Sequence, residues 1–364
     1  MKKFLTKFNK NIIFFCPSIE EGGVEKNLIN ICNGIVDRHK VTLITANKNK
    51  YTLFKKKINF ISPNTNFFNN RSRILKSIYC CYLLLKNYDK NKNIIIAFQS
   101  NILAIIISKI LNYKVIVRSN QSPHIYAKNI IKRKIMAFFF KKADKIVVNS
   151  NDFKKEFKKF FNIKAITIYN LVEKISDLKK YSKKNNKENF FSNSKKIINI
   201  LSIGRLVYQK DQITILKALN LIKNKKKFKF YLIGKGSEYT NLKKFINNNK
   251  LNKQIKILGF KTNVYPYYNK ADIFVQSSLF EGLPNTLIEA LSFGVPIISS
   301  NCKTGPKEIL NKEKYGKLFK IKDYKMLSKL ILKSKKKLKI KYINDKRFDF
   351  NKNLKTYENL ITSL

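Results

Sequence analysis

Two glutamates with seven residues between them, Glu281 and Glu289, stand in the stretch SSLFEGLPNTLIEALSFGVPIIS (277–299). Glu281 falls in a Gly/Pro-containing turn and Glu289 inside a short helical run. A carboxylate cannot bind phosphate, but it can accept hydrogen bonds from sugar hydroxyls. The cations that would complete such a site stand in IGRLVYQKD (203–211), where Arg205 follows a strand end and Lys210 precedes a helix that Asp211 can N-cap. Arg grips phosphate oxygens bidentately and Lys supplies a compact charge, so the pair suits a diphosphate. At about 100° per residue, Leu287, Ile288 and Leu291 share one arc of the helix, with Glu289 roughly opposite on the side of Asn285. Glu289 is therefore expected outside the core. Backbone N–H groups at Asn285–Leu287 would favour an anion at the helix start, which Pro284 suits. The bland alternative is a capping acid followed by a solvated one.

Other loops carry weaker signals. Gly22-Gly23 opens a helix after the first strand and would let backbone approach a ligand, or would simply make the turn. Gly234 and Gly236 in YLIGKGSEY lack the dinucleotide spacing and read as a tight strand–helix turn.

These loops must be held by something, and the rest of the sequence says what. Strand-like runs NIIFFCPS (11–18), KVTLITAN (40–47), KINFIS (57–62), NIIIAF (93–98), KVIVRSN (114–120), KIVVNS (145–150) and AITIYN (165–170) alternate with helical stretches. After a polar Lys/Asn/Ser-rich stretch (172–196) the pattern restarts with INILSIGR (198–205), KFYLIGKG (229–236), QIKILGF (254–260), ADIFVQSS (271–278), VPIISSN (295–301) and GKLFKI (316–321). Near-continuous apolar strands alternating with helices predict parallel sheets covered on both faces. The reading is α/β with two Rossmann-like domains: 1–175, a linker 176–196, and 197–364. Ligands in such folds sit at the carboxyl ends of strands, and a cleft between the two domains is the expected site.

Composition narrows the partners. The chain of 364 residues carries 76 Lys+Arg against 22 Asp+Glu, a formal charge of +54. Compositional drift, an anionic membrane surface and nucleic acid would each account for that excess. Nucleic acid is the poorest fit, because the lysines are scattered rather than interleaved with aromatics in one module. Five cysteines without metal-ligand spacing and only two histidines predict buried free thiols, no metal site and no cofactor. The start MKKFLTKFNK lacks the apolar core of a signal peptide, and the run 94–111 reads as strand plus helix rather than a membrane span. The basic helices in 71–90 and 127–145 carry large apolar residues that the sheet would cover, while their lysines could draw the chain to anionic lipid.

Taken together, GRLVYQKD, LGF, ADIFVQSSLFEGLPNTLIEALSFGVPIISS and GPKEIL resemble the donor-binding half of glycosyltransferase family 4 (glycosyltransferase group 1), whose members are retaining, metal-independent GT-B enzymes. EGGVEKNLIN, DRHKVTLIT and TIYNLVE are similar to its N-terminal half. The resemblance implies that Arg205 and Lys210 hold the nucleotide diphosphate and Glu281 touches the donor sugar. It implies that Gly282, Leu283 and Pro284 line the sugar pocket, that Asn285, Thr286 and Leu287 offer backbone to phosphate, and that Glu289 binds the ribose. Gly22 and Gly23 would approach the phosphates from the other domain. Members place a histidine on the acceptor side. RSNQSPHIYAK departs from that pattern, leaving Arg118 and Asn120 as alternatives to His124, while His39 reads as a strand-entry residue.

The implied activity is transfer of a hexose or N-acetylhexosamine from a nucleotide sugar, with UDP the favoured base, to a growing glycan or polyprenyl-linked acceptor. The implied location is the cytoplasm, peripheral on the inner face of the membrane, without nucleic acid. A sugar-nucleotide epimerase of the same fold and a basic nucleic-acid-binding protein are the alternatives.

Overall fold

The computed structural model describes residues 10–20, 22–89, 93–126, 129–173, 175–183, 191–194, 196–335 and 343–364. The basic start (1–9) and the middle of the expected linker (184–190) lie outside the described residues. The chain divides into two compact units, Met1–Leu171 with Arg347–Leu364, and Val172–Lys346.

The first unit is built on strands β1 (Asn11–Phe15), β2 (Lys40–Ile44), β3 (Asn59–Ile61), β4 (Asn93–Ala97), β5 (Lys114–Ser119), β6 (Lys145–Val148) and β7 (Ile166–Thr167). They pair in parallel in the order β3-β2-β1-β4-β5-β6-β7. Helices α1 (Gly23–Ile35), α2 (Arg73–Lys86), α3 (Asn101–Ile110), α4 (Ile130–Lys141) and α5 (Asn151–Phe161) fall between them. Because the strands are apolar on both sides, the sheet has two cores. One gathers Phe14, Leu28 and Ile31 under α1. The other gathers Phe15, Cys80, Ile105 and Phe157 under α2 to α5.

The second unit opens with α6 (Ile175–Ser182) and repeats the plan with β8 (Ile198–Ile203), β9 (Phe228–Ile233), β10 (Ile255–Ile257), β11 (Ile273–Gln276), β12 (Ile297–Ser300) and β13 (Gly316–Phe319). Their order is β10-β9-β8-β11-β12-β13, again parallel. Its helices are α7 (Gln212–Ile222), α8 (Tyr239–Asn248), α9 (Tyr265–Lys270), α10 (Asn285–Ser292), α11 (Pro306–Ile309) and α12 (Tyr324–Lys333). In each sheet the chain runs outward in one direction, returns, and runs outward in the other. The reversal falls between β1 and β4, and between β8 and β11. Such a switch point leaves a crevice at the carboxyl ends of its two strands.

All thirteen strand-like runs became strands, each ending short of the carboxyl end of its run, where the backbone turns into the loops that matter. The boundaries differ from those expected. The first unit ends at Leu171, and the stretch read as linker contains α6, whose Leu178 is buried and which packs on α9. The tail does not belong to the second unit: α13 (Phe350–Thr362) returns to the first and packs on α1. Its Leu354, Tyr357, Leu360 and Ile361 complete the core under β1. A helix at the chain end advertises an apolar stripe but not the sheet that will take it, so the destination was not readable.

All five cysteines are free thiols, four of them buried. Burial pushes the Cys302 thiol up to about 12, with the charge of Glu281 adding to it. Among the described residues no three His, Cys, Asp or Glu side chains converge in a way that could hold a metal ion. No helix among them is long and apolar enough to cross a membrane.

Candidate functional site

The carboxyl ends of β8 and β11, the two strands at the switch point of the second sheet, deliver the residues that the sequence singled out. β8 ends at Ile203, and Gly204 and Arg205 follow. Lys210 returns over the same spot, because a Cβ on Gly204 would lie 3.7 Å from both Lys210 Cδ and Cε. The neighbouring loop keeps this strand end tight. Gly234 adopts φ +153 after β9, and a Cβ there would stand 1.8 Å from the Gly204 carbonyl oxygen, so only glycine fits. Gly234 thus has the tight-turn role that its spacing suggested.

From β11 the chain leaves through Ser277 and Ser278 into the turn that holds Glu281. Lys210 Nζ lies 2.5 Å from Glu281 Oε1, and Ser278 Oγ donates to the same oxygen at 2.6 Å. Both side chains of the pair are largely shielded, 18% exposed for Lys210 and 8% for Glu281. Backbone ties fix the two loops against each other. Ser277 Oγ donates to the carbonyls of Lys210 (3.0 Å) and Asp211 (2.8 Å). Leu279 N–H donates to Gln209 O and Gln209 Nε2 donates to Phe280 O, each at 2.8 Å. Ser300 Oγ, from the end of β12, donates to Ser278 O at 2.6 Å, and the Thr304 hydroxyl donates to Glu281 O. The ion pair therefore rests on a frame of hydrogen bonds from short side chains to main-chain carbonyls rather than on flexible surface side chains, which raises it above an ordinary exposed pair.

Gly305 closes the frame. It sits at φ +89, and a Cβ would lie 2.4 Å from the Gly282 oxygen and 2.8 Å from Pro284 Cδ. Past it, α10 begins at Asn285 with Pro284 in the N-cap position and no side-chain cap. Gly282 and Thr286 are half-buried, while Leu283, Pro284, Asn285 and Leu287 are buried. Of the three amides expected to face an anion, that of Leu287 is engaged: it donates to Pro284 O at 3.1 Å and tightens the first turn. Arg205 is exposed, and its side chain makes no hydrogen bond or ion pair with a described residue. Gln212 Nε2 holds its carbonyl at 2.8 Å.

Several expectations are corrected. Glu289 is buried, only 4% exposed, and accepts a hydrogen bond from the Tyr268 hydroxyl at 3.0 Å. That hydroxyl also donates to Thr286 O at 3.1 Å. A helical wheel assumes one buried face, but α9 covers a second side of α10, with Tyr268 stacked on Phe293. Burial and the nearby charge of Glu289 push the Tyr268 phenol well above its ordinary range, so it stays a donor. Asp211 occupies the N-cap position of α7 at φ 48, yet its carboxylate accepts from the Thr214 hydroxyl (2.7 Å) rather than from a backbone amide.

In the first unit, Gly22 is the N-cap of α1 and Gly23 its first residue. A Cβ on Gly22 would lie 2.6 Å from Glu25 Oε2, so a buried carboxylate lies against this helix start. Gln99 Nε2 donates to Glu25 Oε1 at 3.1 Å. Arg118 is fully buried beneath the Phe98 and Tyr357 rings, donating to Asn170 Oδ1 at 2.6 Å and to the Tyr357 hydroxyl. Burial lowers its pKa to about 9. It anchors α13 and is not available on the acceptor side. Asn120 Nδ2 is engaged with Phe98 O at 3.0 Å, and His124 is exposed beside Phe160.

Sequence reasoning missed Ser278, Ser300, Thr304 and Tyr268. The hydroxyl pairs that end QSS and ISS were a signal, since small donors at strand ends can tie neighbouring loops. Nothing in the sequence pointed to Tyr268.

Residues 182–354 match the model of glycosyl transferases group 1, and residues 21–174 match that of Glycosyltransferase Family 4. An uncharacterized glycosyltransferase of Methanocaldococcus jannaschii is 33% identical over 266 residues, covering 62% of this chain and 64% of that protein, so the match spans just under two thirds of the relative. The N-acetylgalactosamine-N,N'-diacetylbacillosaminyl-diphospho-undecaprenol 4-alpha-N-acetylgalactosaminyltransferase of Campylobacter jejuni is 24% identical over 84% of this chain and 85% of its own length. Among solved structures, HepE of Anabaena in complex with UDP superposes with a TM-score of 0.71 at 18% identity, covering 97% of this chain and all of that one. At that identity the likeness speaks for the fold alone, which is GT-B. The two matched models together account for most of the chain, and the protein belongs to the family 4, or group 1, glycosyltransferases.

Proposed function

We propose that the protein is a retaining, metal-independent glycosyltransferase that moves a hexose or N-acetylhexosamine from a UDP-sugar to a growing surface glycan or polyprenyl-linked acceptor. The observation that carries this reading is the Lys210–Glu281 pair at the switch point of the second sheet. Support for the substrate classes comes from relatives. The Campylobacter jejuni protein is named for a diphospho-undecaprenol acceptor, and HepE was solved with UDP. The protein works in the cytoplasm at the inner face of the membrane, in peripheral contact with anionic lipid.

The chemistry follows from charge. Breaking the sugar–phosphate bond develops negative charge on the leaving diphosphate and positive charge on the sugar ring. Lys210 and Arg205 supply fixed positive charge where the diphosphate charge grows, so they stabilise the transition state more than the bound donor. In the free protein Lys210 is held by a single carboxylate. A diphosphate carries more charge than Glu281 and competes for the ammonium. Glu281 then turns its oxygens to the donor's hydroxyls, still steadied by Ser278. Glu289, fixed by Tyr268, accepts from the ribose. Asn285 and Thr286 present backbone to phosphate, and Gly282, Leu283 and Pro284 wall the sugar. Gly22 and Gly23, at the start of α1, offer backbone for a phosphate once the Glu25 carboxylate turns aside. The acceptor enters on the face from which the phosphate departs, and a phosphate oxygen takes its proton, which preserves the anomeric configuration.

The test is a panel of nucleotide sugars scored by nucleotide release, with the wild type and Arg205→Ala. The expected result is turnover of a UDP-linked hexose or hexosamine and a loss on the order of 10²-fold in the variant. Absence of turnover with every donor, together with tight and salt-steep binding of a DNA duplex, would reverse the assignment.

A further inference from the structure

The helices α2, α3 and α4 lie side by side on one face of the first sheet, α3 packing against both neighbours, and Cys80, Ile105 and Phe140 face the core beneath them. Burial against the sheet was expected to account for their apolar residues. It accounts for half of them. On α2, Cys80, Leu83 and Leu84 are buried, yet Ile74, Ile78, Tyr82 and Leu85 are exposed, Ile74 by 72%. At about 100° per residue these four fall within an arc of about 80° on the side away from Cys80 and Leu84. On α4 only Phe140 is fully inside, whereas Ile131, Ile135 and Phe138 share one outward arc. Ile110 at the end of α3, 69% exposed, lies between them in the layer. Helix α2 is thus apolar on two opposite sides, which a helix covering a sheet beside water does not need.

Compositional drift toward Ile, Phe and Lys would scatter such residues. They are concentrated: half of the large exposed apolar side chains among the described residues sit on these three helices. Helix α5, on the same sheet face, has none. The charge is equally one-sided, because α2, α3 and α4 contain no Asp or Glu. Lys134 and Lys141 lie along one edge of the outward arc of α4, and Lys142 Nζ sits 5.4 Å from the centre of the Phe138 ring. Outward apolar side chains beside lysines on helices without acids suit an interface between lipid tails and anionic headgroups.

We propose that the outward face of α2, α3 and α4 is the surface by which this protein docks on an anionic lipid bilayer. The apolar ridge enters the headgroup layer and the lysines meet lipid phosphates, with Tyr82 at the depth where amphipathic rings settle. This extends the lipid-linked acceptor reading and rests on it only for its purpose, since docking needs neither donor nor acceptor.

The experiment is co-sedimentation of the full chain, without nucleotide, with vesicles of phosphatidylglycerol and phosphatidylcholine or of phosphatidylcholine alone. The wild type is expected to bind the anionic vesicles and to lose most of that binding in about 0.5 M salt. The double variants Ile78→Ser/Ile135→Ser and Ile131→Ser/Phe138→Ser should each cut binding about tenfold. Leu221→Ser/Met326→Ser, at exposed apolar positions of the second unit, should not change it. Thermal melting checks that each variant folds, and Lys134→Ser/Lys141→Ser tests the charge without touching an apolar side chain, again with a loss expected. Equal binding by all variants, or an absence of wild-type binding at low salt, overturns the proposal. So does a wild-type dimer in light scattering that the face variants dissociate, which would make the face a contact between copies of the chain. Nucleotide release with a soluble acceptor, unchanged in the face variants, keeps this test separate from the transferase reading.

Discussion

The two sheets share one strand order through their first six strands, yet their carboxyl ends are furnished differently. In the second unit the switch point carries a shielded Lys–Glu pair braced by Ser278, with main-chain ties from Ser277, Ser300 and Thr304. In the first unit the corresponding helix start, Gly22, is backed by the Glu25 carboxylate, which Gln99 holds from the end of β4. One end presents a cation on a rigid frame, and the other presents an acid against a glycine turn. The same fold positions both, and the side chains at the loop starts decide what each can hold. A diphosphate suits the first arrangement and is repelled by the second unless Glu25 moves.

That contrast can be broken most severely at Lys210. On the proposed function, Lys210→Ala removes the charge that would meet the leaving group and leaves Glu281 without its cation, so kcat should fall on the order of 10²- to 10³-fold in nucleotide release. Glu25→Gln, in the first unit, should cost far less; an equal loss would erase the distinction between the two ends. Next comes Gly305→Ala. Its Cβ would meet the Gly282 oxygen at φ +89, and unfolding by denaturant should show a loss of about 1–3 kcal/mol, with turnover falling as the Glu281 turn shifts. A smaller effect is expected from Tyr268→Phe, which keeps the stack on Phe293 but removes the bond to Glu289. About 1 kcal/mol of stability and a raised KM for the donor are expected, with kcat held.

The mildest prediction concerns His39 in the first unit, buried with Nδ1 lacking a hydrogen-bond partner. Desolvation, then Arg38 and Lys10, lowers its pKa in the folded state. The unfolded chain therefore takes up the proton more readily. Stability is full above the ordinary histidine pKa and declines as pH falls through it toward the depressed folded value. His39→Gln should flatten the fall in melting temperature over that acidic window. A variant whose pH profile matches the wild type would remove His39 from the account.

Much of this was legible in the sequence. Period and apolar runs located every strand, because both sheets are parallel and buried on two faces, so each strand is a short block of Ile, Val, Leu and Phe. Arg205, Lys210 and Glu281 were legible because they fall in the turns after β8 and β11, where backbone geometry dictates where side chains emerge. Glu289 was misjudged because its environment depends on α9, which arrives from an earlier crossover, and a wheel drawn on one helix cannot contain it. Arg118 was open to misreading for the same reason. Its partners Asn170 and Tyr357 are distant in sequence, and only the return of α13 to the first unit turns a strand-end arginine into a buried anchor. The outward apolar arcs of α2 and α4 were hidden in helices that look simply hydrophobic, since composition does not say which side is out.

The central claim is that Lys210 changes partner when the donor arrives. A crystal structure with UDP bound tests it directly. The account predicts that Lys210 Nζ leaves Glu281 Oε1 for a diphosphate oxygen while Ser278 keeps hold of the carboxylate. UDP lying elsewhere, or the Lys210–Glu281 contact unchanged at 2.5 Å with nucleotide present, would contradict it.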